Sequence, residues 1–340
     1  MSTASNPFVA HADAFADVVG DAARLAKVAD ADAHEGPVYV ADEDALYFTS
    51  LPVATDVPLP GSRSVAIRRL ALDGDRFPLG PEHLSTVREP ANMANGMALD
   101  GCGRLLVCEQ GTRFEAGRIS RLDPRTGRVE SVVEVWAGLR FNSPNDVVCK
   151  SDGTIWFTDP GYGFLQGFKD APQIGDYVYR YDPRTDRLSV VADAFDKPNG
   201  LAFSPDERVL YVGDSGFVHG PNDYSVARPH HLIAFDVLDG RHLANARLFA
   251  VITPGFPDGI KVDAAARVYV SSFSGVQVFS QAGDLIGEIR LPGAVNFTFG
   301  GRDGSTLFIT TDTAIWAASL QAIGAPPRPT DDRVLATPRS

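Results

Sequence analysis

The 340-residue chain has no long apolar run, no excess of positive charge, no paired cysteines and little helical periodicity. Each absence removes a class of function. No stretch approaches the eighteen or so consecutive apolar residues of a membrane-spanning helix. Lys and Arg number 31 against 43 Asp and Glu, a net charge of −12. A surface of that sign repels phosphate backbones, which argues against nucleic acid as a partner. The three cysteines, Cys102, Cys108 and Cys149, are an odd count without CxxC spacing, so neither a disulfide framework nor a zinc ribbon is encoded. Each lies in or beside an apolar, strand-like run, and the expectation is buried free thiols in a reducing cytoplasm. The opening "MSTASNPFVAHADAFADVVG" has neither the basic start nor the continuous apolar core of a secretion signal. G-x-S-x-G, P-loop and dinucleotide fingerprints are also missing.

Glycine (32) and proline (24) are plentiful, and 44% hydrophobic residues suffice for a sizeable core. After about residue 25, short apolar runs punctuated by Gly, Asp and Pro dominate. The runs also repeat. "EGPVYVADEDALYFTS" from Glu35, "NGMALDGCGRLLVCEQG" from Asn95 and "NDVVCKSDGTIWFTDPG" from Asn145 align with "NGLAFSPDERVLYVGDSG" from Asn199 and "DGIKVDAAARVYVSSFSG" from Asp258. A weaker sixth copy, "FTFGGRDGSTLFITT", starts at Phe297. Each reads as strand, turn, strand, and most are followed by a second hairpin, with Asp-Pro turns at "DPRTG" and "DPRTD".

Six such units at a spacing of roughly 40–60 residues predict an all-β, six-bladed β-propeller with four antiparallel strands per blade. No WD pairs mark blade ends, so a WD40-type interaction propeller is not expected. Residues 1–21 read as an N-terminal extension, 22–324 as a single propeller domain, and 325–340 as a Pro-rich tail. "RLAKVAD" (24–30) is expected to supply an outer strand to the last blade, because closing the ring removes exposed strand edges. The loops at 51–63 and 215–229 are long enough to be rim or lid loops.

In a blade the first strand lines the channel, so its first residue stands at one mouth. Here these residues are Glu35, Asn95, Asn145, Asn199 and Asp258. One Asn or Asp before Gly is ordinary turn chemistry. Five blades with an acid or amide at the same position, a turn-averse Glu among them, call for another cause. Two carboxylates and several amide oxygens form a hard oxygen site that suits Ca²⁺, or Mg²⁺ and Mn²⁺, ahead of Zn²⁺, which favours His or Cys. The expected cofactor is therefore one divalent metal, Ca²⁺ first, with Mg²⁺, Mn²⁺ or Zn²⁺ as the other candidates. The second strands return to the same mouth and end at Ser50, Glu109, Asp159, Asp214 and Ser272. Glu109, Asp159 and Asp214, with Asn95, Arg140 and Tyr162, are expected to meet substrate, support the ligands or move protons. His230 and His231 face opposite sides of a third strand away from the channel, so no catalytic role is expected of them.

The motifs "EGPVY" (35–39), "NSPNDVVCKSDGTIWFTDPGYG" (142–163), "NGLAFSPDERVLYVGDS" (199–215) and "PDGIKVDAAARVYV" (257–270) resemble the SMP-30/gluconolactonase/LRE-like family, also called regucalcin-like. The 142–163 block is most similar to its bacterial lactonase branch. The resemblance implies metal ligands at Glu35, Asn199 and Asp258, with Asn145 on the metal or the substrate and Asp258 as the acid–base residue. It implies a metal-dependent hydrolase that opens a lactone, with a sugar lactone such as gluconolactone as the first expectation. A phosphotriester or aryl-ester hydrolase on the same site, and a non-catalytic Ca²⁺-binding propeller, are the alternatives. Two positions depart from the family pattern: Ser143 stands where many members have a sugar-binding Arg, and Gln110 stands where the branch often has a His.

Overall fold

A computed structural model describes residues 6–54, 63–220 and 222–326. Six antiparallel sheets follow one another along the chain, with strands in sequence order from channel to rim except that the outermost strands of the fifth and sixth sheets come from the N-terminal stretch. The channel strands are Ala33–Val40, Ala94–Leu99, Val147–Cys149, Pro198–Phe203, Ile260–Val262 and Phe297–Gly300. The architecture is the predicted six-bladed propeller.

Period-2 alternation explains why the blades stack. A second strand such as Leu105–Glu109 or Ile155–Asp159 has no solvent face, because each of its sides meets a neighbouring blade. In Leu105–Glu109, Leu105 and Val107 pack toward blade one while Leu106 and Cys108 pack toward blade three. In Ile155–Asp159, Ile155 and Phe157 face blade two and Trp156 faces blade four. The hydrophobic core is correspondingly divided into six clusters, one in each seam between blades.

The ring closes through Arg24–Asp30, which pairs with Ala314–Ser319 as the outer strand of the sixth sheet. The stretch before it also belongs to the fold. Phe8–Ala10 adds a fifth strand to blade five, pairing Phe8 with Ile289, and Phe15 packs on Gly287, where a Cβ would have no room. A three-residue strand carries too little alternation to be read from sequence, which is why this segment appears as an extension there. The thiols are all free, but only Cys108 is fully buried. Cys102 is exposed because it occupies the turn between two strands rather than a strand. Ala325 donates its N–H to the Val262 carbonyl (3.2 Å). Residues 327–340 of the expected tail and 55–62 of the expected rim loop lie outside the described residues. Among the described residues, no helix is long and apolar enough to cross a membrane.

Candidate active site at the channel mouth

Glu35, Asn95, Asn145, Asn199, Asp258 and Asn296, each within two residues of the start of a channel strand, meet around the axis. A Cβ on Gly36 would stand 2.5 Å from the Asn95 carbonyl oxygen, and Gly96 donates its N–H to the Asn145 carbonyl at 2.8 Å. Gly200 abuts the Asp258 main-chain oxygen, Gly259 abuts the Asn296 side chain, and Asn296 Nδ2 donates to Glu35 Oε2 at 2.7 Å. The glycines at 36, 96, 200 and 259 thus let neighbouring blades approach closely. Hydroxyls at or one place before the ends of the second strands fasten neighbours together. Thr49 donates to the Asn95 carbonyl (3.2 Å), Thr158 to that of Asn199 (2.9 Å) and Thr310 to that of His34 (2.8 Å).

Within this ring Asp258 lies within hydrogen-bond reach of both Glu35 and Asn199. Burial first, and then the charge and hydrogen bond of Glu35, push the Asp258 carboxyl well above the usual carboxylate range. Asp146, one residue below Asn145, is buried and pushed up to about 6 by burial, against the lowering charge of Lys261. Two carboxylates in contact need a shared proton or a cation between them. The buried Asn95 Oδ1 has no hydrogen-bond partner, as an oxygen donor awaiting a ligand would. Among the described residues no three His, Cys, Asp or Glu side chains converge as a metal cage. The donor set instead has two carboxylates and amide oxygens, and that chemistry fits a hard divalent cation.

The acids at the ends of the second strands have different surroundings. Asp214 accepts the N–H groups of Asp196 (3.0 Å), Lys197 (2.9 Å) and Gly216 (3.2 Å). Asp159 accepts those of Asn142 (2.9 Å) and Ser143 (2.7 Å). Glu109, fully buried, is held by Arg88, Arg118 (2.9 Å), Asn92 (3.0 Å) and Ser120 (2.6 Å). Burial raises its pKa, but the Arg88 and Ser120 hydrogen bonds outweigh burial and hold it below the usual range. These three carboxylates hold loops and strand ends at the mouth.

Ser143 is buried, with its Oγ accepting the Gly163 N–H at 2.8 Å, so it anchors the short helix Tyr162–Leu165. Arg140 is exposed and lines a hollow of about 370 Å³ with Phe164 and Lys169 between the loops of blades two and three. Tyr162 reaches the ring itself: its hydroxyl accepts from Asn199 Nδ2 at 3.5 Å, and burial, then the Asp258 charge, keep the phenol protonated.

Two ring residues escape the sequence reading. Asn296 is the first residue of blade six, one place before the Phe297 start taken there. The signal was present, but the next residue is Phe rather than Gly, so the repeat looks displaced. Asp146 sits where four other blades have Gly, and its Oδ1 occupies the space that Gly96 leaves open.

The profile of the SMP-30/Gluconolactonase/LRE-like region matches residues 33–313. A gluconolactonase of Zymomonas mobilis is 31% identical over 304 residues, covering 85% of this chain and 79% of that protein. The solved structure of a gluconolactonase from Xanthomonas campestris superposes with a TM-score of 0.74 at 33% identity, covering 92% of this chain and 95% of that one. A calcium-binding regucalcin from Agrobacterium tumefaciens shares the fold at 16% identity and a TM-score of 0.63, covering 88% and 97% of the two chains. Its repeats, its mouth motifs and these likenesses together make the chain a member of the SMP-30/gluconolactonase/LRE-like family.

Proposed function

We propose that this protein is a metal-dependent hydrolase that opens sugar lactones, aldonolactones such as gluconolactone first among them, at the Glu35–Asp258 mouth. The observation that carries the reading is the contact between these two carboxylates inside a ring of carboxamides. Its setting in a family with gluconolactonase and lactonohydrolase members supports the lactone as substrate. Glu35, Asn145, Asn199 and Asp258 would hold the cation, which when bound supplies Lewis-acid polarisation of a carbonyl oxygen. Asp258 takes a proton from water as the water oxygen bonds to the lactone carbonyl carbon. It then returns the proton to the ring oxygen as the ring C–O bond breaks, leaving a hydroxy acid. Tyr162, protonated, offers a hydrogen bond from the blade-three side of the mouth. Asn199 donates to Tyr162 and lies beside Asp258.

A panel of sugar lactones assayed with Ca²⁺, Mn²⁺, Zn²⁺ or chelator, beside an aryl phosphotriester, tests this reading. Metal-restored lactone hydrolysis is the expected result. Turnover of the phosphotriester alone, or lactone turnover indifferent to chelator, would overturn it.

Stability gives an independent readout. A carboxyl whose folded pKa is raised stabilises the fold fully below its unfolded pKa, and that contribution is lost as pH rises through the folded value. The metal-free protein is therefore expected to lose stability as pH climbs from about 4 through about 6 for Asp146, and further for Asp258. Saturating Ca²⁺ should raise the thermal midpoint at pH 8, with a stabilisation of about 2.7 kcal/mol at a hundredfold excess over Kd. At pH 5 the effect should shrink, because protons compete for the same oxygens. An equal Ca²⁺ effect at both pH values would argue against these carboxylates as ligands.

A further inference from the structure

The mouth has two unlike sides. On the side of blades six and one stand Asn296, Glu35 and the half-exposed pair His34–Asp312, whose Nδ1 and Oδ1 are 2.6 Å apart. On the side of blades four and five stands a cluster of rings. Phe217 stacks on Phe256 with centroids 5.9 Å apart, Phe273 meets Phe256 edge-on at 5.6 Å, and Tyr224 packs on Phe217 at 5.8 Å.

This cluster is joined to the site. Phe256 precedes Asp258 by two residues. Ser215 Oγ donates to the Pro257 carbonyl, and Phe217 follows Ser215 by two. Phe273 donates its N–H to the Pro254 carbonyl at 3.0 Å. The hairpin Val218–Gly220 and Asp223–Tyr224, inside the expected 215–229 loop, leans on the helix that carries Tyr162. Within this well-packed group, Phe273 is 49% and Tyr224 54% exposed. Solvent-facing aromatic surface beside a polar reaction centre is what an amphipathic substrate would cover.

We propose that Phe217, Tyr224, Phe256 and Phe273 form a subsite for an apolar substituent on the lactone ring, so that the enzyme prefers alkyl- or aryl-substituted lactones to unsubstituted ones. This rests on the lactone hydrolase reading above. The ring ester meets the carboxylate side, and the substituent lies along the rings.

The test compares δ-valerolactone, δ-decanolactone and glucono-δ-lactone, which share a six-membered ring and differ in substituents. Half-burying the five-carbon chain of δ-decanolactone should raise kcat/KM over δ-valerolactone by roughly 30-fold. Phe273→Ala and Tyr224→Ala, at half-exposed positions outside the carboxylate ring, should each cut that preference at least ~5-fold and leave δ-valerolactone within about twofold. A wild-type ratio near one, or variants that lower glucono-δ-lactone turnover as much as δ-decanolactone turnover, would overturn the subsite. The non-hydrolysable δ-decanolactam and δ-valerolactam separate this outcome from a failure of the lactonase reading. Tighter calorimetric binding of the decanolactam, lost in Phe273→Ala, upholds the subsite even if no lactone is turned over. Equal binding of the two lactams overturns it.

Discussion

Replacing Asp258 by Asn is expected to lower lactone turnover by at least ~10²-fold, the lower end for loss of a general base. The substitution keeps an oxygen donor and the side-chain volume. It removes a base, and it removes one of the two carboxylates in contact at the ring, so Ca²⁺ affinity should weaken as well. The companion change Asp214→Asn should behave oppositely. Asp214 accepts three backbone N–H groups, and an amide would turn an NH₂ toward at least one of them. That orphans a buried donor, at about 1–3 kcal/mol of stability, while turnover of the folded fraction persists. Rates measured at saturating Ca²⁺ and thermal midpoints separate the two effects. Full activity in Asp258→Asn together with its loss in folded Asp214→Asn would show that the base is the other carboxylate.

Removing residues 1–30 is expected to abolish the cooperative fold. Val28 and Ala29 are buried in the seam between blades six and one, and Phe15 and Val18 in the seam between blades five and six. Each large apolar side chain contributes about 1.5–3 kcal/mol, against a total stability of about 5–15 kcal/mol. The truncation also exposes Ala314–Ser319 as an unpaired edge. Removing only residues 1–20 leaves the closing strand in place and should lower the thermal midpoint with the transition still cooperative. Gln321 and Ala322 would lose their hydrogen bonds to the Val18 carbonyl, at 2.9 and 3.0 Å. An unchanged thermal transition after removal of residues 1–30 would mean that the ring closes elsewhere.

Much of the ring was legible because a propeller converts sequence periodicity directly into spatial convergence. Glu35, Asn95, Asn145, Asn199 and Asp258 could be aligned without coordinates, since each opens a strand–turn–strand copy, and closure brings equivalent positions to one axis. Asn296 was one residue out of view because Phe297 replaces the glycine that marks the other starts. Arg140 and Ser143 show the opposite limit. Nothing in "GLRFNSPND" distinguishes an exposed arginine in a side hollow from one at the mouth, or reveals that Ser143 Oγ faces the Gly163 amide.

The sequence by itself determined the repeat, the number of blades, the strand that closes them and the acid-and-amide character of the mouth. These follow from local alternation and from equivalent positions in successive copies, which need no knowledge of which side chains touch. Only the tertiary structure decided what each carboxylate does. Glu35 and Asp258 interact with each other at the mouth, whereas Glu109 is neutralised by two arginines and Asp159 and Asp214 are taken up by backbone amides. Asp146 is a buried acid whose Oδ1 packs into the room that Gly96 of the preceding blade leaves. The role of a charged group depends on its burial and on the donors around it. Those donors come from residues tens or hundreds of positions away, and only the closed ring sets them beside it.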